Sequence, residues 1–230
     1  AAGENLTILP EDRALTVDIT GGGVTGISYE VRSMDRARLV ERTEVSDWQQ
    51  TQQGIAATLP IQNLLTKERE YQLIIQLDTE NYGSVYYYTR ILWTDSAQHA
   101  RDMVDLAADF SIKTFDYEQA KSLTTYLETS PSEDNSTFGH TSIHSSFSQL
   151  TWGKMNMQPE GNVEIRLKEL DGVMCGVQLS YQAKRQGDGA EETYEVEEDF
   201  TLKWNELRIY MMQYDRTVNQ IFAGDRSEYS

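Results

Sequence analysis

Three long runs of strict two-residue alternation fill much of the second half of this 230-residue chain. A sequence that alternates so far hides its apolar face only as a sheet. In the first run Val163, Ile165 and Leu167 alternate with Glu164, Arg166 and Lys168. After an Asp171-Gly172 turn of the kind favoured in tight hairpins, Val173, Cys175, Val177, Leu179, Tyr181 and Ala183 share one parity. Beyond a Gly187-Asp188-Gly189 loop, the third run sets Tyr194, Val196, Glu198, Phe200, Leu202 and Trp204 on one face. A fourth strand is expected over residues 207–214, and an earlier one over 147–157 with Gly153 as a bulge.

Glu198 breaks the apolar pattern between Val196 and Phe200. A buried carboxylate is costly unless it is paired, protonated or in contact with a wet cavity. One reading is structural: an edge position, a bulge that flips parity, or a salt bridge to an arginine such as Arg208. The other is functional, with Glu198 as acid, base or anchor in a pocket. Tyr181 and Trp204, on the apolar parities of their strands, are the companion ligand-binding candidates.

Two amphipathic helices are expected ahead of these strands. Asp95 is followed three residues on by Gln98, and Asp116 by Gln119, the reciprocal pattern that caps exposed amides at a helix start. The first helix aligns Ala100, Met103, Val104, Ala107 and Phe110 on one stripe, the second Ala120, Leu123 and Leu127. Residues 130–146, rich in Ser, Thr, Asp and Asn, read as a long mobile loop. This order, two helices and then a meander of long antiparallel strands, resembles the nuclear transport factor 2-like fold, and a cystatin-like arrangement is similar. The resemblance spans residues 94–222 and implies a curved sheet wrapped round a helix, with a conical pocket between them. Such folds host enzymes, carriers and protein-binding modules alike. Residues 223–230 are expected to be a disordered tail.

The first half alternates over shorter stretches. Leu15, Val17 and Ile19 precede a Gly21-Gly22-Gly23 break, and Ile27, Tyr29 and Val31 follow it. Further strands are expected over 6–9, 39–45, 55–61, 71–77 and 85–91, with Asn81-Tyr82-Gly83 as the last turn. About seven short strands without a helix are the pattern of an antiparallel sandwich over residues 4–92. Leu65-Thr-Lys-Glu-Arg-Glu-Tyr71 followed by QLIIQL resembles the leucine-to-tyrosine corner of fibronectin type III and related immunoglobulin-like domains, and Gly26–Ser33 (GISYEVRS) resembles their third strand. The resemblance implies a spacer or binding module. The seam between the halves is 85–98, VYYYTRILWTDSAQ, where alternation gives way to helical spacing. There Val85, Tyr87 and Ile91 are assigned inward. Tyr86, Tyr88 and Arg90 face outward or toward the second module, as a partner-binding surface or as rings packed between domains.

Composition excludes some partners. A net charge of −17 argues against nucleic acid and against anionic membrane surfaces. The single Cys175 rules out an intrachain disulfide. No apolar run reaches the roughly 20 residues that span a bilayer. The AAGENL opening, without an initiator Met, suggests a cut after a signal peptide or anchor lying outside the sequence. Asn5-Leu6-Thr7 and Asn135-Ser136-Thr137 match the N-glycosylation triplet. His140 and His144, with Asp134 nearby, would share a helical face but lack an evident third ligand. Ser145 and Ser146 adjoin His144 without a nucleophile elbow. His99 reads as a solvated residue, and Gly21–Gly23, with no Lys and no helix after it, is not a phosphate loop.

Together these features imply a mainly β protein, a β-sandwich followed by an α+β domain with two helices and a curved antiparallel meander. The expected function is non-enzymatic binding of a protein or small ligand at a bacterial cell surface, secreted or membrane-anchored, without a cofactor or bound metal. The alternatives are an enzyme or carrier that uses Glu198, and a structural spacer.

Overall fold

The buried apolar side chains gather into two cores, one drawn from residues 9–91 and the other from residues 103–218. The computed structural model describes residues 5–63, 65–128, 137–187, 189 and 191–222. The chain divides into units Ala1–Gln98 and His99–Ser230. The expected tail over 223–230 lies outside the described residues.

The first unit contains β1 (Leu6–Ile8), β2 (Ala14–Thr20), β3 (Val24–Arg32), β4 (Leu39–Glu44), β5 (Trp48–Gln50), β6 (Gly54–Pro60), β7 (Glu70–Thr79) and β8 (Gly83–Leu92). They form one sheet ordered β1-β8-β7-β3-β4 and another ordered β2-β6-β5. β1 runs parallel to β8, and the other pairs are antiparallel. Alternation in β3 buries Ile27, Tyr29 and Val31, and in β7 it buries Leu73, Ile75 and Leu77. Each such fully buried aliphatic side chain stabilises the unit by roughly 1.5–3 kcal/mol. The sequence pattern misses β5, because three residues of which two are Gln show no alternation. Tyr71 closes the expected corner: its phenol oxygen accepts the Thr66 amide at 3.0 Å, and Leu65 packs on the core.

Gly54 opens β6 at φ +153°, and a Cβ there would collide with the Ile19 carbonyl of the paired strand β2. Only glycine allows that approach. At the tip of the β7–β8 hairpin, Gly83 turns the chain at φ +67°, while Thr79 Oγ1 accepts the Tyr82 amide at 3.1 Å and donates to the Gly83 carbonyl at 2.8 Å.

Into the second unit leads α1 (Ala97–Lys113), followed there by α2 (Tyr117–Ala120), a 3₁₀ turn (Lys121–Tyr126), β9 (His140–Ser142), α3 (Phe147–Leu150), β10 (Met157–Asp171), β11 (Met174–Arg185), β12 (Glu192–Trp204) and β13 (Ile209–Ile221). The sheet order is β10-β11-β12-β13-β9, antiparallel throughout. α1 buries Ala100, Met103, Ala107, Phe110 and Ser111. Met103, Ala107 and Phe110 join one core with Val177, Leu179, Phe200 and Tyr214 of the sheet.

Several expectations change. The second helix is one α turn that tightens into the 3₁₀ turn, with Asp116 Oδ1 accepting the Glu118 and Gln119 amides at 3.0 and 3.1 Å. The strand expected over 147–157 does not form before Met157: Ser146 Oγ caps the Gln149 amide at 3.2 Å, and Trp152 and Gly153, at φ +67° and +64°, turn the chain into β10. Within the expected mobile loop, 137–146 are structured, with β9 paired to β13. The β10–β11 turn is Gly172-Val173 rather than Asp171-Gly172, which leaves Val173 exposed. β13 runs to Ile221, seven residues past its expected end, and brings Arg216 inside.

Candidate functional site

The Glu198 carboxylate is fully buried, and each of its oxygens accepts one hydroxyl. Ser111 Oγ, on the buried face of α1, donates to Oε1 at 2.5 Å, and Tyr214, on β13, donates its phenol to Oε2 at 2.5 Å. The parity that places Val196 and Phe200 inward therefore places Glu198 inward too, and α1 and β13 supply its donors. Arg208, the arginine considered from sequence, instead lies over the Tyr210 ring at 4.0 Å. The buried cation is Arg216, the direct cross-strand neighbour of Glu198. Its guanidinium donates at 2.8 Å to the Leu150 and Gln149 carbonyls and lies 3.7 Å over Trp152.

The surrounding electrostatics keep the phenols neutral. Burial, and then the Glu198 charge, push the Tyr214 hydroxyl well above its usual value of 10.0, with Arg216 pulling the other way. Tyr181 is raised in the same way, chiefly by burial and next by Glu198. Its hydroxyl is buried without a hydrogen-bond partner among the described residues. Trp152 completes the cluster: its Nε1 donates to Thr114 Oγ1 at 3.2 Å, and its ring stacks on Phe115 at 5.1 Å. Phe110, Phe200 and Tyr214 are in mutual ring contact within the same core. A carboxylate closed in this way orders the core around it; meeting a substrate would require the core to open.

Tyr181 thus stands beside Glu198, whereas Trp204 does not. It lies six residues further along β12, about 20 Å at the usual strand rise. Its ring stacks on His99 with centroids 3.6 Å apart, so His99 is half-buried rather than solvated. Sequence reasoning missed Trp152 and Arg216. The Trp152-Gly153 pair was a turn signal, but the reading of 147–157 as a strand concealed it. Beside Tyr181, a cleft of about 260 Å³ opens between α1 and the β10 edge, lined by Ile112, Phe115, Val163, Ile165 and Leu179 among others.

The histidines separate. His140, on β9, lies 3.2 Å from Asp215 Oδ1, and His144 Nδ1 lies 3.0 Å from the Glu128 carbonyl. Asp134, Asn135 and Ser136 lie outside the described residues, and no metal-holding group of His, Cys, Asp and Glu occurs among the described ones. Ser145 is buried, with its Oγ accepting the Ser142 amide, and Ser146 is the helix cap noted above.

The first unit presents a different feature. On the β7–β8 hairpin Tyr82 is 84% exposed, and Tyr86, Tyr87 and Tyr88 are each 48–49% exposed. Tyr86 and Tyr88 pair with Gln76 and Ile74 on the outer face, as expected. Tyr87 pairs with the core residue Ile75 yet stays half exposed, against its inward assignment, because the core of this unit packs Val85 but does not reach Tyr87. Arg90 is drawn back into an ion pair with Glu70 at 2.7 Å. The cation beside the patch is Arg36, 5.6 Å over the Tyr88 ring. From Ser84 to Tyr88, β8 has β7 on one side, while β1 pairs only with Arg90–Leu92.

No family model, curated protein or solved structure matches the chain.

Proposed function

We propose that this is a non-enzymatic binding protein that engages a protein partner through the β7–β8 hairpin of its first unit. The observation that carries the reading is the clustering of four exposed tyrosines on one hairpin. Tyrosine buries a large amphipathic surface with little side-chain entropy to lose, and for that reason it anchors protein interfaces. A spacer has no need of such a surface. The strand order, with β1 parallel to β8 and a tyrosine corner ahead of β7, supports an immunoglobulin-like sandwich for this unit. The order of helix and long antiparallel strands supports a nuclear transport factor 2-like arrangement for the second unit. We place the protein outside the cytoplasm at a bacterial cell surface.

Paired captures from a cell-surface fraction test this, with the wild-type chain and a Tyr82, Tyr86, Tyr87 and Tyr88→Ser variant as baits. The expected result is a species held by wild type, lost with the variant, and bound again by purified wild type. Identical captures by the two baits overturn the reading.

A further inference from the structure

β10 is an edge strand, paired with β11 alone among the described residues. Natural edges are blunted by bulges and charges, and β10 has both. Its register slips between Glu160 and Glu164 and again between Leu167 and Glu169, and between the slips Glu164 and Arg166 share the outer face with Ser180 and Gln178. Its inner face, however, leaves apolar surface uncovered. Val163 is 42% exposed, Ile165 43% and Ile112 of α1 53%, around the apolar cleft described above.

The order of charges on this edge is self-complementary. If a second strand β10 ran antiparallel about a two-fold axis at Ile165, Glu164 would face Arg166 of the other copy and Arg166 would face Glu164. Val163 would face Leu167, and the two Ile165 side chains would meet. Opposite charges directly across an antiparallel pair are stabilising, and like charges are destabilising. Within one chain Arg166 already pairs with Glu164 at 2.5 Å and reaches Gln178 and Ser180 of β11 at 3.4 Å, so docking exchanges that local pair for two pairs between the copies. A one-residue slip would set unlike faces together and lose these pairs.

We propose that β10 is a self-association edge, on which a second copy of this chain docks antiparallel about Ile165 and joins the two five-stranded sheets into one. The isologous arrangement is the commonest way for a chain to form a closed pair. The net charge of −17 opposes the approach of two copies, so the local pairing of Glu164 with Arg166 has to supply the specificity. The inference is independent of the tyrosine hairpin.

Sedimentation of the whole chain from low to high micromolar concentration tests it, with Glu164→Arg, Arg166→Glu and the double reversal. The expected result is a concentration-dependent dimer that either single change abolishes and the double change restores. Glu164→Arg is the discriminating variant, because it lowers the net negative charge and yet sets Arg against Arg166. Circular dichroism checks that each variant is folded. A monomer at every concentration overturns the proposal and leaves the edge to an extended segment of another protein. A dimer insensitive to both single reversals also overturns it, and places the contact elsewhere.

Discussion

Glu198 illustrates how a side chain's environment, more than its identity, decides its role. Its position on an apolar parity is legible in the sequence, but its two donors come from Ser111 and Tyr214, 87 residues before it and 16 after. The sequence offers Arg208 as one example of a partner, whereas Arg216 is the arginine that lies directly across the strand pair. Replacing Glu198 with Leu removes two charge-assisted hydrogen bonds and leaves two buried hydroxyls without their acceptor. The expected loss is about 3 kcal/mol in denaturant unfolding. Adding Ser111→Ala and Tyr214→Phe to that variant is expected to recover part of it, since removing both partners is cheaper than removing one. A Glu198→Leu variant more stable than wild type would instead mark the carboxylate as a site kept for function at the expense of stability.

At the scale of elements, the strands were the most legible part. Strict alternation in β11 and β12 predicted the buried sets Cys175–Ala183 and Tyr194–Leu202, position by position, because a strand has only two faces. Short segments were less legible. β5 has too few residues to show a period, and 147–157 carries apolar residues whose turn geometry rests on a serine cap and two left-handed residues. The pairing of β2 with β6 supplies a test. Gly54→Ala puts a methyl against the Ile19 carbonyl at a positive φ, and the expected cost is roughly 1–3 kcal/mol. Hydrogen exchange should then show faster opening of the β2–β6 amides than of β7–β8. Equal protection of both pairs in the variant would show that the backbone relaxes around the added methyl.

For the whole molecule, pH sums over both units. Burial raises Cys175 from 9.0 to about 12, and Tyr181 and Tyr214 well above 10.0. Tyr29 in the first unit rises to about 12, again chiefly through burial. Each folded value exceeds the unfolded one, so the folded state holds these protons more tightly. Their stabilising contribution is complete below about pH 9 and is lost as the pH rises toward 12 and beyond, where the unfolded chain releases protons that the folded one keeps. Three of these four groups lie in the second unit, where Tyr194 is raised as well, while each unit has one lowered tyrosine, Tyr71 and Tyr210; the second unit is therefore expected to lose stability more steeply in alkali, by about 1.4 kcal/mol per pH unit for each raised group. Thermal unfolding between pH 8 and 11 checks this, with Tyr181→Phe and Tyr214→Phe each flattening the curve; an unchanged slope in both would sink it. A mainly β chain, most of its strands and the inward place of Glu198 follow from the order of residues alone, because periodicity is a local property that each strand states on its own. The convergence of Ser111, Tyr214, Arg216 and Trp152 around that carboxylate, the stacking of Trp204 on His99 away from it, and the exposure of Tyr87 arise only in the folded chain. Those outcomes depend on which strands and helices become neighbours, and that is set by non-local burial rather than by spacing along the chain.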